Sequence, residues 1–276
     1  MKKRVKSTFN PKQSKILKYI HDNIYSEQRN WLCLVMGKVG SGKSFSALRI
    51  AELMDKNFNI DRVVFNEDDF MNLVRSNLPK GSFIVADEIG SWLPAREYMT
   101  MTNRLLSYVL QTFRFKQLGI LWTTPVSRFV DKNLRSMADA TLETLKVYRS
   151  KQEVECKFKN YEINPITGKE YYKFPVVLRP DGSHITITRV FISRPSPELE
   201  KAYLKKKKEH MDKFYDKIHQ TLKYLDKTGK KYLGKTIEEG KLVKCKKCGY
   251  MWNSVAMRPR CQRCLSSKVV AVGENA

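Results

Sequence analysis

The chain has 276 residues, 42% of them hydrophobic, enough for a sizeable core. Lys and Arg total 52 against 28 Asp and Glu, a formal charge of +24 that excludes a charge-balanced globule and points to a polyanionic partner, nucleic acid ahead of an anionic membrane. No apolar run approaches the roughly 18 residues that cross a bilayer, and the basic start MKKRVKSTFNPKQSK lacks the apolar stretch of a signal peptide, so the expected compartment is the cytoplasm.

In chain order, residues 1–28 read as a basic helical segment in which Ile16, Leu17, Ile20 and Ile24 share one face. Residues 29–150 read as an α/β core. WLCLVMG (31–37) is a buried strand, followed by a helix over SFSALRIAELMDKN. A strand at 62–66, a helix at 68–77 with an acidic first turn and a strand at 82–89 come next. A long helix from about Met99 to Gln117, a strand at 119–125, a helix over SRFVDKNLRSMAD and a strand at 140–149 complete it. Strands alternating with helices predict a mainly parallel sheet. Residues 151–195 change to period two with turn chemistry at NPITG and RPDGS, a β-hairpin extension of the core. A long basic amphipathic helix spans 196–228, with Ser196 as N-cap and Pro197 at the first position. Leu204, Met211, Tyr215, Ile218, Leu222 and Leu225 form its heptad-like stripe, expected to pack on a neighbour. Between Lys201 and Lys231 stand 11 lysines and 4 acidic residues, so the outer face, KKKK at 205–208 included, is expected near DNA. A linker at 229–242 leads to a small module at 243–270.

The first motif is G-x-x-x-x-G-K-S from Gly37 to Ser44, placed between a strand and a helix. Gly37, Lys38, Val39, Gly40, Ser41, Gly42, Lys43, Ser44 and Phe45 are expected to cradle ATP: glycines turn backbone N–H groups inward, Lys43 reaches the β- and γ-phosphates, and the Ser44 hydroxyl ligates Mg²⁺. The second motif is FIVADE. Asp87 stands at the carboxyl end of an apolar strand, where it can hold the Mg²⁺ water shell, and Glu88 can orient and deprotonate an attacking water. Two adjacent acids here mark hydrolysis rather than phosphate transfer to a small molecule. At the end of LWTTP, Thr124 is the candidate to lie between the acids and contact the γ-phosphate, with Thr123 second.

The combination of GKVGSGKS, FIVADE, TFRFKQLG, LWTT and RFVDKNLRSMAD resembles the additional-strand P-loop ATPases of the RecA-like class. Within them it is similar to the FtsK–HerA superfamily, including viral genome-packaging ATPases and zonula occludens toxin-like proteins. The resemblance covers roughly residues 28–150; where that branch carries glutamine on the fourth strand, this chain has Thr124. It implies a homo-oligomeric ring, often a hexamer, that moves double-stranded DNA. The ATP site would lie between subunits and be completed by a neighbour's arginine, with Arg114 and Arg135 as candidates and Arg128 third.

CKKCGYMWNSVAMRPRCQRC sets Cys245 and Cys248 in one C-x₂-C and Cys261 and Cys264 in another, the spacing of a zinc ribbon whose four thiolates close a structural Zn²⁺ site. In a reducing compartment this is favoured over two disulfides. Together the motifs predict an ATP-hydrolysing, DNA-directed motor for translocation or for viral or mobile-element packaging. The alternatives are an ATP-switched nucleic-acid regulator and a membrane-associated phage-assembly ATPase.

Overall fold

Each apolar run that ends abruptly in polar or glycine residues becomes a strand of one central sheet. A computed structural model of the chain describes residues 15–92, 116–178, 182–228, 241–254, 261, 263, 264 and 266–271. Two units divide it, residues 1–211 and 212–276. In the first, helix α1 (Lys15–Tyr25) precedes β1 (Trp31–Met36), α2 (Lys43–Met54), β2 (Val63–Val64), α3 (Glu67–Arg75), β3 (Phe83–Ala86) and the short α4 (Ile89–Trp92). Then come β4 (Gly119–Thr124), the short α5 (Lys132–Arg135) and β5 (Ala140–Tyr148). These five strands run parallel in the order β5-β1-β4-β3-β2. β4 therefore inserts between β1 and β3, with Leu121 level with Cys33 on one side and Val85 on the other. This is the additional-strand arrangement, and it leaves the residues after β1 and after β3 on either side of the end of β4.

Strands of the extension expected over 151–195 add to this sheet. β6 (Glu153–Ile163) pairs antiparallel with β5, with a register shift between Thr144 and Lys146. β7 (Glu170–Lys173) and β10 (Val190–Ser193) both pair with β6, giving eight strands in all, while β8 (Val176–Leu178) and β9 (His184–Thr186) form a separate ladder. The NPITG turn closes the β6–β7 hairpin, Asn164 Oδ1 accepting from the N–H groups of Ile166 and Thr167. Residues 179–181 of the RPDGS turn, most of the predicted 99–117 helix, and residues 229–240 lie outside the described residues.

Alternation along β1 builds a core on each face of the sheet. Trp31, Cys33 and Val35 pack with Ile16, Ile20 and Ile24 of α1 and with Leu48 and Ala51 of α2. Leu32 and Leu34 pack on the other face with Phe70 and Val74 of α3 and with Leu134 of α5. Strands buried on both faces read as unbroken apolar runs, as the sequence of β1 does. The Trp31 and Phe158 rings stack with centroids 6.4 Å apart, and Tyr19 meets Phe158 edge-on.

Helix α6 (Pro197–Thr228) begins as predicted, with the Leu199 N–H donating to Ser196 Oγ at 3.4 Å. Of the predicted stripe, Leu204, Tyr215, Ile218 and Leu222 are exposed in the single chain, while Leu199 and Tyr203 of the same helix are buried. In the second unit, β11 (Lys241–Cys245) pairs antiparallel with β12 (Met251–Ser254) and β13 (Val269–Ala271). No helix among the described residues is long and apolar enough to cross a membrane.

Phe158→Ala is expected to lower the unfolding free energy by about 3–5 kcal/mol, because it removes a buried ring between two aromatic partners. Urea denaturation of the full chain checks it.

Candidate nucleotide site

The loop between β1 and α2 has the shape its glycines dictate. Gly42 caps α2 in the left-handed region at φ 88°, which an L side chain rarely adopts. A Cβ at Gly42 would stand 2.7 Å from a Val154 methyl of β6, and one at Gly37 would stand 2.1 Å from Thr144 Oγ1 of β5. Ser41 and Thr144 share a hydroxyl–hydroxyl hydrogen bond of 2.6 Å, and Thr144 also donates to the Met36 carbonyl. Lys43 folds back, its Nζ donating to the Lys38 carbonyl at 2.9 Å. Burial draws the Lys43 ammonium below its ordinary value, against the nearby Asp87 and Glu88 carboxylates. Val39 is exposed at the tip of the loop. Val39, Lys43, Phe45, Glu88, Val154 and Tyr203 are among the walls of a cavity of about 600 Å³.

Asp87 is the hub of the site. Its carboxylate is fully buried and accepts four hydrogen bonds. Oδ1 takes the hydroxyls of Ser44 at 2.7 Å and Thr123 at 2.6 Å. Oδ2 takes the Tyr203 hydroxyl at 2.7 Å and the Lys207 ammonium at 2.9 Å. Burial alone would raise the Asp87 carboxyl; Lys207, Thr123, Tyr203 and Ser44 together hold it below its ordinary value. In the same way burial lowers Lys207, and Asp87 outweighs it to hold the ammonium well above its usual range. Glu88 follows at φ 53°, a left-handed conformation unusual for a non-glycine residue. Its side chain is 48% exposed, and Oε1 accepts from Lys207 at 2.8 Å.

Thr123, rather than Thr124, joins the two acids. The Thr123 hydroxyl donates to Asp87 and accepts the Glu88 N–H at 2.8 Å, so it pins the turn that carries both. Thr124 points to the opposite side of β4 and donates to the Val126 carbonyl at 3.0 Å. Arg135 is engaged within the chain itself, pairing with Glu170 of β7 at 3.1 Å and donating to the Ser127 carbonyl. Arg128 is exposed, and Arg114 lies outside the described residues. The expectation that KKKK at 205–208 faces outward holds for Lys205 and Lys208 only. Lys206 donates to the Ile60 and Val63 carbonyls, and Lys207 enters the acidic site. No local motif marks Tyr203 or Lys207. Only their four-residue spacing, which puts them on one helix face, relates them in the sequence.

The four C-terminal cysteines converge as expected. Their sulfurs lie within 4.8 Å of one another, with Cys245–Cys264 at 3.6 Å and Cys248–Cys261 at 3.5 Å. Four sulfurs each about 2.3 Å from a tetrahedral zinc stand just under 4 Å apart, so the donor set fits that ion. Gly249, at φ 74°, makes the turn after the first pair, where its N–H donates to the Cys245 carbonyl.

No protein-family model and no curated protein matches the sequence. Among solved structures, the N-terminal domain of zonular occludens toxin from Neisseria meningitidis is similar at 17% identity and TM-score 0.35, over 52% of this chain and 93% of that one. RuvB from Thermotoga maritima is similar at 21% identity and TM-score 0.35, over 49% of this chain and 46% of that one. The genome packaging NTPase B204 of Sulfolobus turreted icosahedral virus 2, in complex with AMPPCP, is similar at 12% identity and TM-score 0.34, over 54% of this chain and 99% of that one. Likenesses of this size leave the function to be read from the chain's own residues.

Thr123→Val should destabilise the protein by about 1–3 kcal/mol, since it strips a buried carboxylate of a donor and an N–H of its acceptor. Thr124→Val, which frees one carbonyl, should cost about 1 kcal/mol or less in the same denaturation series.

Proposed function

We propose that the chain is an ATP-hydrolysing motor directed at DNA. The observation that carries the reading is the 2.7 Å bond from Ser44, the hydroxyl at the end of the phosphate loop, to Asp87, the acid at the end of β3. The two groups that a P-loop nucleotide site needs for its Mg²⁺ thus meet across β4 from separate segments. Backbone N–H groups of residues 40–44, at the N-terminus of α2, suit the phosphates, and Lys43 needs only to leave the Lys38 carbonyl to reach them. Mg²⁺, when bound at Ser44 and Asp87, would neutralise charge between the β- and γ-phosphates. Glu88 stands one residue beyond Asp87, half exposed and fixed by Thr123, as a base for the attacking water.

DNA as the object of this hydrolysis rests on the charge of +24 and on the basic sequence around the cysteine module. The four thiolates would hold a structural zinc, with no open coordination position for chemistry. A ring of copies acting on double-stranded DNA would complete each site with a neighbour's arginine. Arg135, occupied by Glu170, serves this less well than Arg114 or the exposed Arg128.

Steady-state hydrolysis with and without duplex DNA tests the proposal. Lys43→Ala should abolish activity, and Glu88→Gln should lower it by about 10²–10³-fold while nucleotide still binds. DNA should stimulate the wild type, less so as salt rises. Absence of hydrolysis in the wild type would overturn the motor, and full function of Glu88→Gln on DNA would favour an ATP-operated switch. Purified protein should contain about one zinc per chain, and Cys261→Ser should lose it, by elemental analysis.

A further inference from the structure

The lone pairs of Asp87 are fully committed. An ionised carboxylate offers about four acceptor positions, and Ser44, Thr123, Tyr203 and Lys207 fill them. Ser44 would turn to a metal in any P-loop site, and Thr123 holds the turn of β3 in place. The other two donors come from α6, more than a hundred residues away, and one of them is a full positive charge. Lys207 also takes Glu88, so one ammonium bridges both acids of the site.

This placement is built into the fold. Glu52 of α2 accepts the Ser196 N–H at the start of α6, and Arg49 donates to Ser193 just before it. The Tyr203 ring lies between Phe45, 6.0 Å away edge-on, and Phe65, stacked at 6.2 Å. Lys206 ties the next position to the carbonyls of Ile60 and Val63. Lys207 therefore arrives at Asp87 from a helix anchored at several points just before it. Its side chain is 26% exposed, which leaves the ammonium a way out to water.

From these contacts we infer that Lys207 and Tyr203 form an internal lock on the site: the Lys207 ammonium supplies the positive charge that the divalent cation would bring to Asp87, and Mg²⁺–nucleotide binds only as that ammonium leaves Asp87. The inference rests on the nucleotide reading above. A dication held beside Ser44 at Asp87 Oδ1 would share one carboxylate with the ammonium on Oδ2, and two positive charges that close repel each other strongly. Occupancy of the site by Mg²⁺ and seating of α6 on Asp87 thus oppose each other, a reciprocal coupling between the metal and the start of the basic helix.

The test is ADP binding by calorimetry to the full chain, with Mg²⁺ present or omitted. Lys207→Met should tighten Mg²⁺–ADP binding on the order of tenfold and change metal-free ADP binding far less. Lys207→Arg, which keeps the charge, should stay near wild type, and Tyr203→Phe should shift in the same direction as Lys207→Met but less. A second measurement needs no variant: amine-reactive labelling read by mass spectrometry should find Lys207 protected in the free protein and more reactive once Mg²⁺–ADP is added. Unchanged Mg²⁺–ADP affinity in Lys207→Met, or unchanged labelling, would reduce the contact to an ordinary ion pair and overturn the lock. Weaker binding both with and without Mg²⁺ would make Lys207 a phosphate ligand and overturn it equally. Those outcomes leave the nucleotide reading standing. A wild type that binds ADP under neither condition would overturn that reading, and the lock with it.

Discussion

A carboxylate taken wholly out of water has to be met by donors, and Asp87 sets that demand for the entire first unit. Desolvating an unpaired charge costs several kcal/mol, so each of its four donors is a structural requirement as well as a chemical opportunity. The donors come from three separate segments: the start of α2, the end of β4 and the second and third turns of α6. Inserting β4 between β1 and β3 is what brings a threonine beside the acid. Capping α6 against Glu52 is what sets the phase of the helix so that positions 203 and 207 face inward. Satisfying one buried charge thus ties together three elements of the fold around the site.

The legible parts of the site were those whose physics acts over a few residues. Glycines at 37, 40 and 42 specify the loop, an apolar run ending in Asp-Glu specifies the strand end, and paired C-x₂-C knuckles specify the sulfur cluster. The alternation of strands and helices likewise gave the parallel core, and the Ile16, Leu17, Ile20 and Ile24 face of α1 is buried as its spacing requires. Thr123 and Thr124 differ by a single residue on a strand, and one residue is the difference between the two faces of a sheet. Both are buried, so hydrophobicity could not rank them; only the acid at the end of the adjacent β3 does.

Charge was harder to read than pattern. A run of four lysines reads as a solvated surface in any sequence, yet two of these four are spent inside the first unit because the strand ends beneath them offer carbonyls and carboxylates. Arg135 looked available because its partner, Glu170, arrives from a strand formed 35 residues later. The stripe of α6 is exposed in the single chain. Its apolar spacing was real, but the aromatic rings of Phe45 and Phe65 engage a different face of the helix.

The close approach of Val154 to Gly42 bears on where the chain can be divided. The phosphate loop has a back wall, and that wall belongs to β6, while the hydroxyl that steadies Ser41 belongs to β5. A piece ending at residue 150, although it contains every nucleotide motif, would leave the loop open on one side and Asp87 short of two donors. The smallest fragment that preserves the cradle runs at least to Lys207, so the antiparallel strands and the start of the basic helix belong to the same indivisible folding piece as the motif itself.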